Sequence, residues 1–166
     1  LGQLDLEKAN FHQEAQIYVQ QRKLGRDNPA LVGPLTKLGR WYDRSNQTEA
    51  ARLVYQGAAR LVEAADGQNS PGMVEPLLAI AETYRQQALL PPDPESNQSP
   101  ETLLPLSSMM LRKALGIVEQ QSPPDPAERA RILVKLGDLY LMWGKQNTAS
   151  ERYKEAWQIL SADPAL

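Results

Sequence analysis

One spacing of large and small residues recurs three times along this chain. Its clearest copy starts at Leu133 and consists of Leu-x2-Leu-Gly-x2-Tyr, followed after a short break by Ala-x3-Tyr-x2-Ala. Each half places its apolar residues on one face of a helix. Gly137 and Ala149 are small where the two helices must approach closely, while Tyr140 and Tyr153 fill the remaining space. The spacing therefore predicts an antiparallel helical hairpin.

Two further copies of the spacing stand upstream. The first consists of Leu35, Leu38, Gly39, Tyr42, Ala51, Tyr55 and Ala58, and the second, a weaker copy, of Leu77, Ile80, Ala81, Tyr84, Ser107, Leu111 and Ala114. The offset from Gly39 to Ala81 is 42 residues, and the offset from Ala81 to Gly137 is 56 residues. The extra residues fall within the middle hairpin, because its two small residues, Ala81 and Ser107, are unusually far apart. We therefore expect an insertion between the helices of that hairpin.

The repeated spacing resembles the tetratricopeptide repeat, whose usual period is about 34 residues. The longer period of 42 residues resembles the extended variety found in kinesin light chains. The linker from Lys23 to Pro29 is similar to the lysine, leucine, glycine, acidic, polar, proline connector of that family, and residues 66–71 form a looser version. The resemblance covers nearly the whole chain. It implies an all-α, right-handed solenoid of antiparallel helical hairpins, about seven helices in all, that holds other proteins and performs no catalysis.

We expect a single domain over residues 1–166. Within it the sequence predicts an N-terminal helical segment over residues 1–27, either a cap or the second helix of a preceding repeat. Three repeats are predicted to follow, over residues 28–66, 70–122 and 125–162. The first helices are expected to start at Asn28-Pro29, Ser70-Pro71 and Asp125-Pro126, since each pairs a capping side chain with a proline suited to the first turn.

The insertion in the second repeat is predicted to be a loop over residues 89–103. Three prolines between Leu89 and Ser99 exclude a regular helix there, because each proline removes a backbone hydrogen bond. Helix is expected to resume at Pro100 or at Pro105, and the sequence leaves both alternatives open. The whole stretch from Leu89 to Ser99 is expected to be a mobile loop that folding does not need.

Composition narrows the classes of partner. The chain has 18 basic and 20 acidic residues, a formal net charge of −2 and no charge runs, so nothing electrostatic favours nucleic acid or an anionic membrane as a partner. No apolar run approaches the roughly 20 residues of a membrane span. The absence of cysteine excludes disulfides and thiolate sites, and it fits either a reducing or an oxidising compartment. Both a cytoplasmic chain and one exported after removal of an N-terminal signal agree with the sequence.

No set of residues suggests catalysis, a cofactor or a metal site. His12 is the only histidine and has no serine or aspartate arranged around it, so we expect a solvated side chain. The sequence contains no glycine-rich phosphate loop and no metal-ligand spacing. Trp41, Trp143 and Trp157 fall on or beside the packing stripes of their helices, so we expect them to pack in the core or between repeats. The sequence therefore predicts no enzymatic activity and no cofactor.

The tetratricopeptide resemblance assigns the concave surface to the first helix of each hairpin. Residues one step round from the packing stripe would face it: Thr36, Arg40, Asp43, Leu78, Glu82, Arg85, Val134, Asp138 and Leu141. Chaperone-tail-binding members of the family clamp a terminal carboxylate with asparagines and lysines, whereas this chain has Arg40, Glu82 and Asp138 there. We expect a mixed groove that binds an extended or helical peptide. The alternative is a structural assembly role, in which the chain self-associates through its terminal helices and the groove stays empty.

Overall fold

The structure is a computed structural model that describes residues 3–91, 98–123 and 125–162, with side chains from residue 14 onward. Over these ranges the chain forms seven α-helices and no strand. The helices are α1 Gln3–Leu24, α2 Val32–Arg44, α3 Thr48–Asp66, α4 Val74–Gln87, α5 Pro100–Gln120, α6 Pro126–Met142 and α7 Gln146–Ala162. Short 3₁₀ turns, Pro29–Leu31 and Pro71–Met73, lead into α2 and α4.

Consecutive helices pack as hairpins, and the hairpins stack on one another. Helices α2 and α3, α4 and α5, and α6 and α7 form the hairpins, while α4 packs on α3, α6 on α5 and α1 on α2. One apolar core runs through the stack from Ile17 on α1 to Leu139 on α6. The prediction of an all-α helical repeat fold is confirmed.

The helices of the outer hairpins touch at glycine. A Cβ atom on Gly39 would lie 2.4 Å from Cε1 of Tyr55, and one on Gly137 would lie 2.5 Å from Cε1 of Tyr153. These distances are shorter than van der Waals contact, so only glycine leaves room for the tyrosine ring. The tyrosine of the second helix therefore packs directly on the backbone of the first.

The middle hairpin replaces this contact with a hydrogen bond. Its first helix carries Ala81 instead of glycine, and Leu111 stands in place of the tyrosine on the second helix. The hydroxyl of Ser107 donates to the Ala81 carbonyl at 2.8 Å, and both residues are buried. This bond satisfies a polar side chain in the core, where an unpaired hydroxyl would cost free energy.

The prediction of a loop over residues 89–103 is wrong at its C-terminal end. Helix α5 begins at Pro100, and Leu103 and Leu104 are each 4% exposed, so the first turn of the helix already contributes to the core. Burial of these two leucines favours helix over loop. Residues 92–97 lie outside the described ranges, so the loop before Pro100 stays a prediction.

Pro105 lies inside α5 without ending the helix. Its missing N–H removes the backbone bond to the carbonyl of Glu101, which lies in the exposed first turn, where water can take the place of the bond. Of the two restart points that the sequence left open, the structure has Pro100, whose fixed φ suits the first helical position.

Side chains cap two of the predicted helix starts. Asn28 Oδ1 accepts a bond from the Ala30 amide at 2.9 Å, and Asp125 Oδ1 accepts one from the Glu128 amide at 3.1 Å. Each bond satisfies an amide that has no partner within the helix. After Asn28, however, the chain first makes a 3₁₀ turn, and α2 begins only at Val32.

The tryptophans do not all pack as predicted. Trp41 and Trp143 are partly buried against the core, but Trp157 is 70% exposed, so the prediction of packing is wrong for that residue. Trp157 lies on the outer face of α7, which no other described helix covers. The His12 side chain lies outside the described residues. No helix in the described part of the chain is long and apolar enough to cross a lipid bilayer.

Candidate functional site: the groove of the first helices

An ionic bridge joins the three first helices across one surface. Glu75 on α4 lies 3.0 Å from Nη2 of Arg40 on α2 and 3.7 Å from Nη2 of Arg131 on α6. All three side chains are about half exposed. The faces of α2, α4 and α6 that carry them therefore form one continuous surface, which we call the groove.

The groove contains a depression between α4 and α6 with a volume of about 320 Å³. We call it the central depression. Four of the nine residues predicted for the groove line it: Leu78, Glu82, Arg85 and Asp138. Lys135 completes its rim, and Ala81, Ser107 and Leu111 lie at its base. The depression thus has a charged rim above an apolar floor.

Glu82 and Arg85 form a bidentate ion pair on the rim. Arg85 Nε donates to Glu82 Oε2 at 2.9 Å, and Arg85 Nη2 donates to Glu82 Oε1 at 2.6 Å. Burial alone would raise the pKa of Glu82, but the hydrogen bonds and positive charge of Arg85 outweigh it and lower that pKa below its ordinary value. The same hydrogen bonds raise the pKa of Arg85. Both groups are therefore charged at neutral pH.

Asp43 lies in a less favourable environment. Tyr55 donates its hydroxyl to Asp43 Oδ2 at 2.7 Å, while the buried Oδ1 has no hydrogen-bond partner among the described residues. Burial raises the pKa of Asp43, the Tyr55 hydrogen bond opposes that shift, and the negative charge of Glu82 adds to it. The net pKa lies above the ordinary value, so the charged form of Asp43 is disfavoured in the fold.

Asp138 accepts a hydrogen bond at the other end of the groove. The Tyr153 hydroxyl donates to Asp138 Oδ1 at 2.7 Å, and this bond is the main cause that raises the pKa of Tyr153 to about 12. The two outer hairpins thus each join a tyrosine of the second helix to an aspartate of the first. The aspartate is four residues after Gly39 in one case and directly after Gly137 in the other.

The remaining predicted groove residues differ in how far they reach the surface. Thr36 is half-buried and donates its hydroxyl to the Val32 carbonyl at 2.8 Å. Leu78 is only 5% exposed, so it belongs to the floor and offers no exposed anchor. Val134 and Leu141 on α6 are exposed. Apolar surface on the groove face therefore lies mainly toward α6.

Three charged residues of the groove were not predicted: Glu75, Arg131 and Lys135. Glu75 and Arg131 each stand three residues before a predicted residue, Leu78 and Val134, and extending the stripe by one helical turn would have found both. Lys135 likewise stands three residues before the predicted Asp138, so the same spacing would have found it.

The groove offers charges and hydrogen bonds without the elements of a metal site. Among the described residues, no group of three or more histidine, aspartate or glutamate side chains is arranged to hold a metal ion. The charged groups instead pair with one another: Glu75 bridges α2, α4 and α6, and Glu82 pairs with Arg85 within α4.

The helices and their stacking define a tetratricopeptide-like helical repeat fold. The crystal structure of BtubC (BKLC) from P. vanneervenii is similar to this chain, with a TM-score of 0.78 at 17% sequence identity over 95% of the chain. The chain spans 57% of the length of that protein. No protein-family profile and no curated protein matches the sequence. The similarity thus shows the fold alone.

Proposed function

We propose that this protein is a non-enzymatic interaction module of a scaffold or adaptor, and that it binds an extended or helical peptide in the groove. The tetratricopeptide-like fold supports an interaction role in general terms. The 42-residue spacing supports the more specific proposal of a kinesin-light-chain type of repeat. The observation that carries the peptide site is the central depression, where α4 and α6 place opposite charges around an apolar floor.

The chemistry of the groove favours a peptide with mixed charge. The Arg40–Glu75 pair is about half exposed, and such pairs contribute only about 0 to 1 kcal/mol each. A peptide can therefore replace one partner of such a pair at little cost. Lys135 has no ion pair within 4.0 Å among the described residues, so it is available to a peptide carboxylate. Affinity would depend on a few anchors in the depression.

Charge reversal in the groove tests the proposal. The double substitution Arg40→Glu and Arg85→Glu should abolish capture of partners in a pull-down with this protein as bait. Helicity should stay almost unchanged. The half-exposed Arg40–Glu75 pair contributes at most about 1 kcal/mol, and loss of the more buried, bidentate Arg85–Glu82 pair should lower the melting temperature modestly without unfolding the protein. The matched control reverses Lys23 and Arg60, which are exposed, have no ion pair among the described residues and lie on α1 and α3. Should the groove variant retain every partner while the control loses them, the binding surface lies elsewhere.

A second candidate function is assembly of copies of this chain through the outer face of α7. Val62 on α3 and Val118 on α5 are 6% and 0% exposed because α4 and α6 cover them. Val118 stands 56 residues after Val62, and Leu160 stands 42 residues after Val118, so Leu160 holds the equivalent position on α7. Its side chain is 42% exposed. The outer face of α7 thus continues a series of helix-covered faces, and we propose a second copy of the chain as its occupant.

A further inference from the structure

A second cleft lies outside the groove, between α5 and the turn that joins α6 to α7. It has a volume of about 520 Å³. We call it the basic cleft, and the residues that define its chemistry are Met109, Arg112, Lys113, Tyr140, Trp143 and Lys145. It shares no lining residue with the central depression. A ligand in this cleft would therefore contact a different set of side chains from a peptide in the groove.

One wall of the basic cleft is held by a connected set of contacts. The rings of Tyr140 and Trp143 stack with centroids 6.2 Å apart and planes 12° apart. Lys145 Nζ lies 3.3 Å from the centroid of the Trp143 ring, and the Tyr140 hydroxyl lies 3.0 Å from Ser108 Oγ on α5. The cation and the rings stabilise one another, and the hydroxyl pair fixes the wall to α5. The cleft is thus preformed on this side.

Two cations on the opposite wall lack a carboxylate partner. Arg112 and Lys113 have no ion pair within 4.0 Å among the described residues, and α5 contains no acidic residue between Glu101 and Glu119. Glu119 itself bonds Arg129 at 3.0 Å. No i±3 or i±4 neighbour can therefore neutralise either cation. With Lys145, the cleft gathers three positive charges and no negative one.

The charge of the basic cleft is not required by the repeat. The equivalent junction between α3 and the end of α4 lies 56 residues earlier, and Gln56, Gly57 and Leu89 stand there in place of Arg112, Lys113 and Lys145. That junction packs in the same order of helices without any of the three charges. Packing therefore gives no reason for the cations, which favours a role in binding.

An apolar group lies beside the charges. Met109 is 52% exposed and stands one helical turn before Arg112 and Lys113. Its flexible side chain suits contact with an apolar residue of varied shape. The cleft can therefore receive an apolar side chain next to carboxylates.

We propose that the basic cleft binds an acidic peptide segment, with glutamate or aspartate carboxylates on Arg112, Lys113 and Lys145 and one apolar side chain on Met109. Charge complementarity carries the choice of partner, since charge-assisted hydrogen bonds from arginine and lysine favour carboxylates. Nucleic acid is a poorer fit: the Trp143 ring is already stacked with Tyr140 and in contact with Lys145, so a base would have to displace them. The net charge of −2 also disfavours it.

Fluorescence anisotropy with a defined probe tests this site. The probe is a fluorescein-labelled peptide of eight residues, seven glutamates around one leucine, titrated with the full chain at low salt. The double substitution Arg112→Glu and Lys113→Glu should weaken binding about tenfold or more, and added salt should weaken binding to the wild type. The substitution Met109→Ser should weaken binding of this probe but not of a version with glycine in place of leucine.

The control variant reverses the charges of Lys23 and Arg60, which lie on α1 and α3, away from the basic cleft in the sequence. It changes the net charge by the same amount as the Arg112 and Lys113 variant. It should bind the probe like the wild type, and circular dichroism should show that all variants keep their helices. Equal weakening in the control would mean that the probe senses net charge only and would overturn the proposal. Failure of the wild type to bind, or binding of an oligouridine probe in preference to the peptide with the same dependence on Arg112 and Lys113, would also overturn it. The groove variant should bind the probe normally, so this test is independent of the proposed function.

Discussion

At the scale of single residues, the outer hairpins depend on two glycines, whose missing side chains allow the two helices to pack closely. Gly39 and Gly137 each face a tyrosine ring at a distance that leaves no room for a methyl group. The two contacts differ in their freedom to adjust: Tyr55 is 2% exposed, whereas Tyr153 is only partly buried. A ring held on all sides cannot move away from an added atom, but a partly exposed one can.

The substitution Gly39→Ala should therefore destabilise the protein by about 1 to 3 kcal/mol, since the added methyl group overpacks the contact with Tyr55. The substitution Gly137→Ala should cost less, because Tyr153 can rotate toward solvent. Gly57→Ala is the control: no atom lies within 4 Å of its Cβ position on α3, and alanine there should stabilise the helix by up to about 1 kcal/mol. Thermal melts of the three variants measure their relative stabilities. Equal melting of all three would show that the glycine contacts do not constrain the hairpins.

A second prediction at this scale concerns Asp43, whose pKa is raised above its ordinary value of 3.8 mainly by burial. The native state then binds the proton more tightly than the unfolded state, so the contribution of Asp43 to stability falls as pH rises through this window. Asp43→Asn removes the charge and keeps an acceptor for Tyr55. We expect the variant to be as stable as the wild type or more so near neutral pH, by less than about 1 kcal/mol for a half-exposed group.

Urea unfolding at about pH 3 and near neutral pH measures the effect. The stability gained by the variant over the wild type should be present near neutral pH and disappear in acid, where Asp43 is protonated in both states. Loss of stability near neutral pH would instead show that the ionised carboxylate stabilises the fold.

At the scale of helices, a tyrosine of each first helix contacts the helix that precedes it along the chain. The Tyr42 hydroxyl bonds Glu14, and the Tyr140 hydroxyl lies 3.0 Å from Ser108 Oγ. The Arg52 guanidinium lies 5.1 Å from the centroid of the Tyr84 ring, with Nη1 at 3.5 Å from the hydroxyl. One position of the repeat thus joins each hairpin to the helix that precedes it, although the partner differs each time.

A double-mutant cycle on Ser108→Ala and Tyr140→Phe tests one of these joints. Each single change should destabilise by about 0.5 to 1.5 kcal/mol, because it leaves the remaining hydroxyl without its partner. The double variant should cost less than the sum, since neither hydroxyl then lacks a partner. Urea unfolding of the wild type, the two single variants and the double variant gives the coupling free energy between the two hydroxyls. Strict additivity would mean that the two hydroxyls do not interact in solution.

The hairpins were predictable from the sequence, but the joints between them were not. The repeated spacing shows which face of each helix packs, because large and small residues alternate with the helical period. It does not show which atom the end of a side chain meets, since that depends on the register of the neighbouring helix. The same limit applies to the first turn of α5. The prolines suggested a loop, and only the burial of Leu103 and Leu104 shows that the helix includes this turn.

At the scale of the whole molecule, the groove was predictable as a line of residues and not as a site. Three residues of the predicted stripe, Glu82, Arg85 and Asp138, line one depression. The stripe could not show that Glu75 connects three helices, or that Leu78 lies beneath the surface, because both depend on how closely the hairpins stack. A peptide ligand of the groove stays a prediction, as does the division of the chain into repeats.

The outer face of α7 leads to a final prediction about assembly. Trp157 is 70% exposed, whereas its equivalent on α3, Ala59, is 9% exposed beneath α4. If this face binds a second copy, sedimentation should show concentration-dependent self-association of the wild type. The double substitution Trp157→Ser and Leu160→Ser should leave a monomer with unchanged helicity, because both side chains already contact solvent and contribute little to the fold.

The groove variant with Arg40 and Arg85 reversed serves as the matched control, since it alters charge on α2 and α4 and leaves α7 intact. It should self-associate like the wild type even though it captures no peptide partner. A wild type that stays monomeric at every concentration, and captures partners that depend on Arg40 and Arg85, would contradict assembly and support the groove alone. Self-association that disappears in the α7 variant while partner capture persists in it would show that the two surfaces act independently, because exposed faces on separate helices contribute additively.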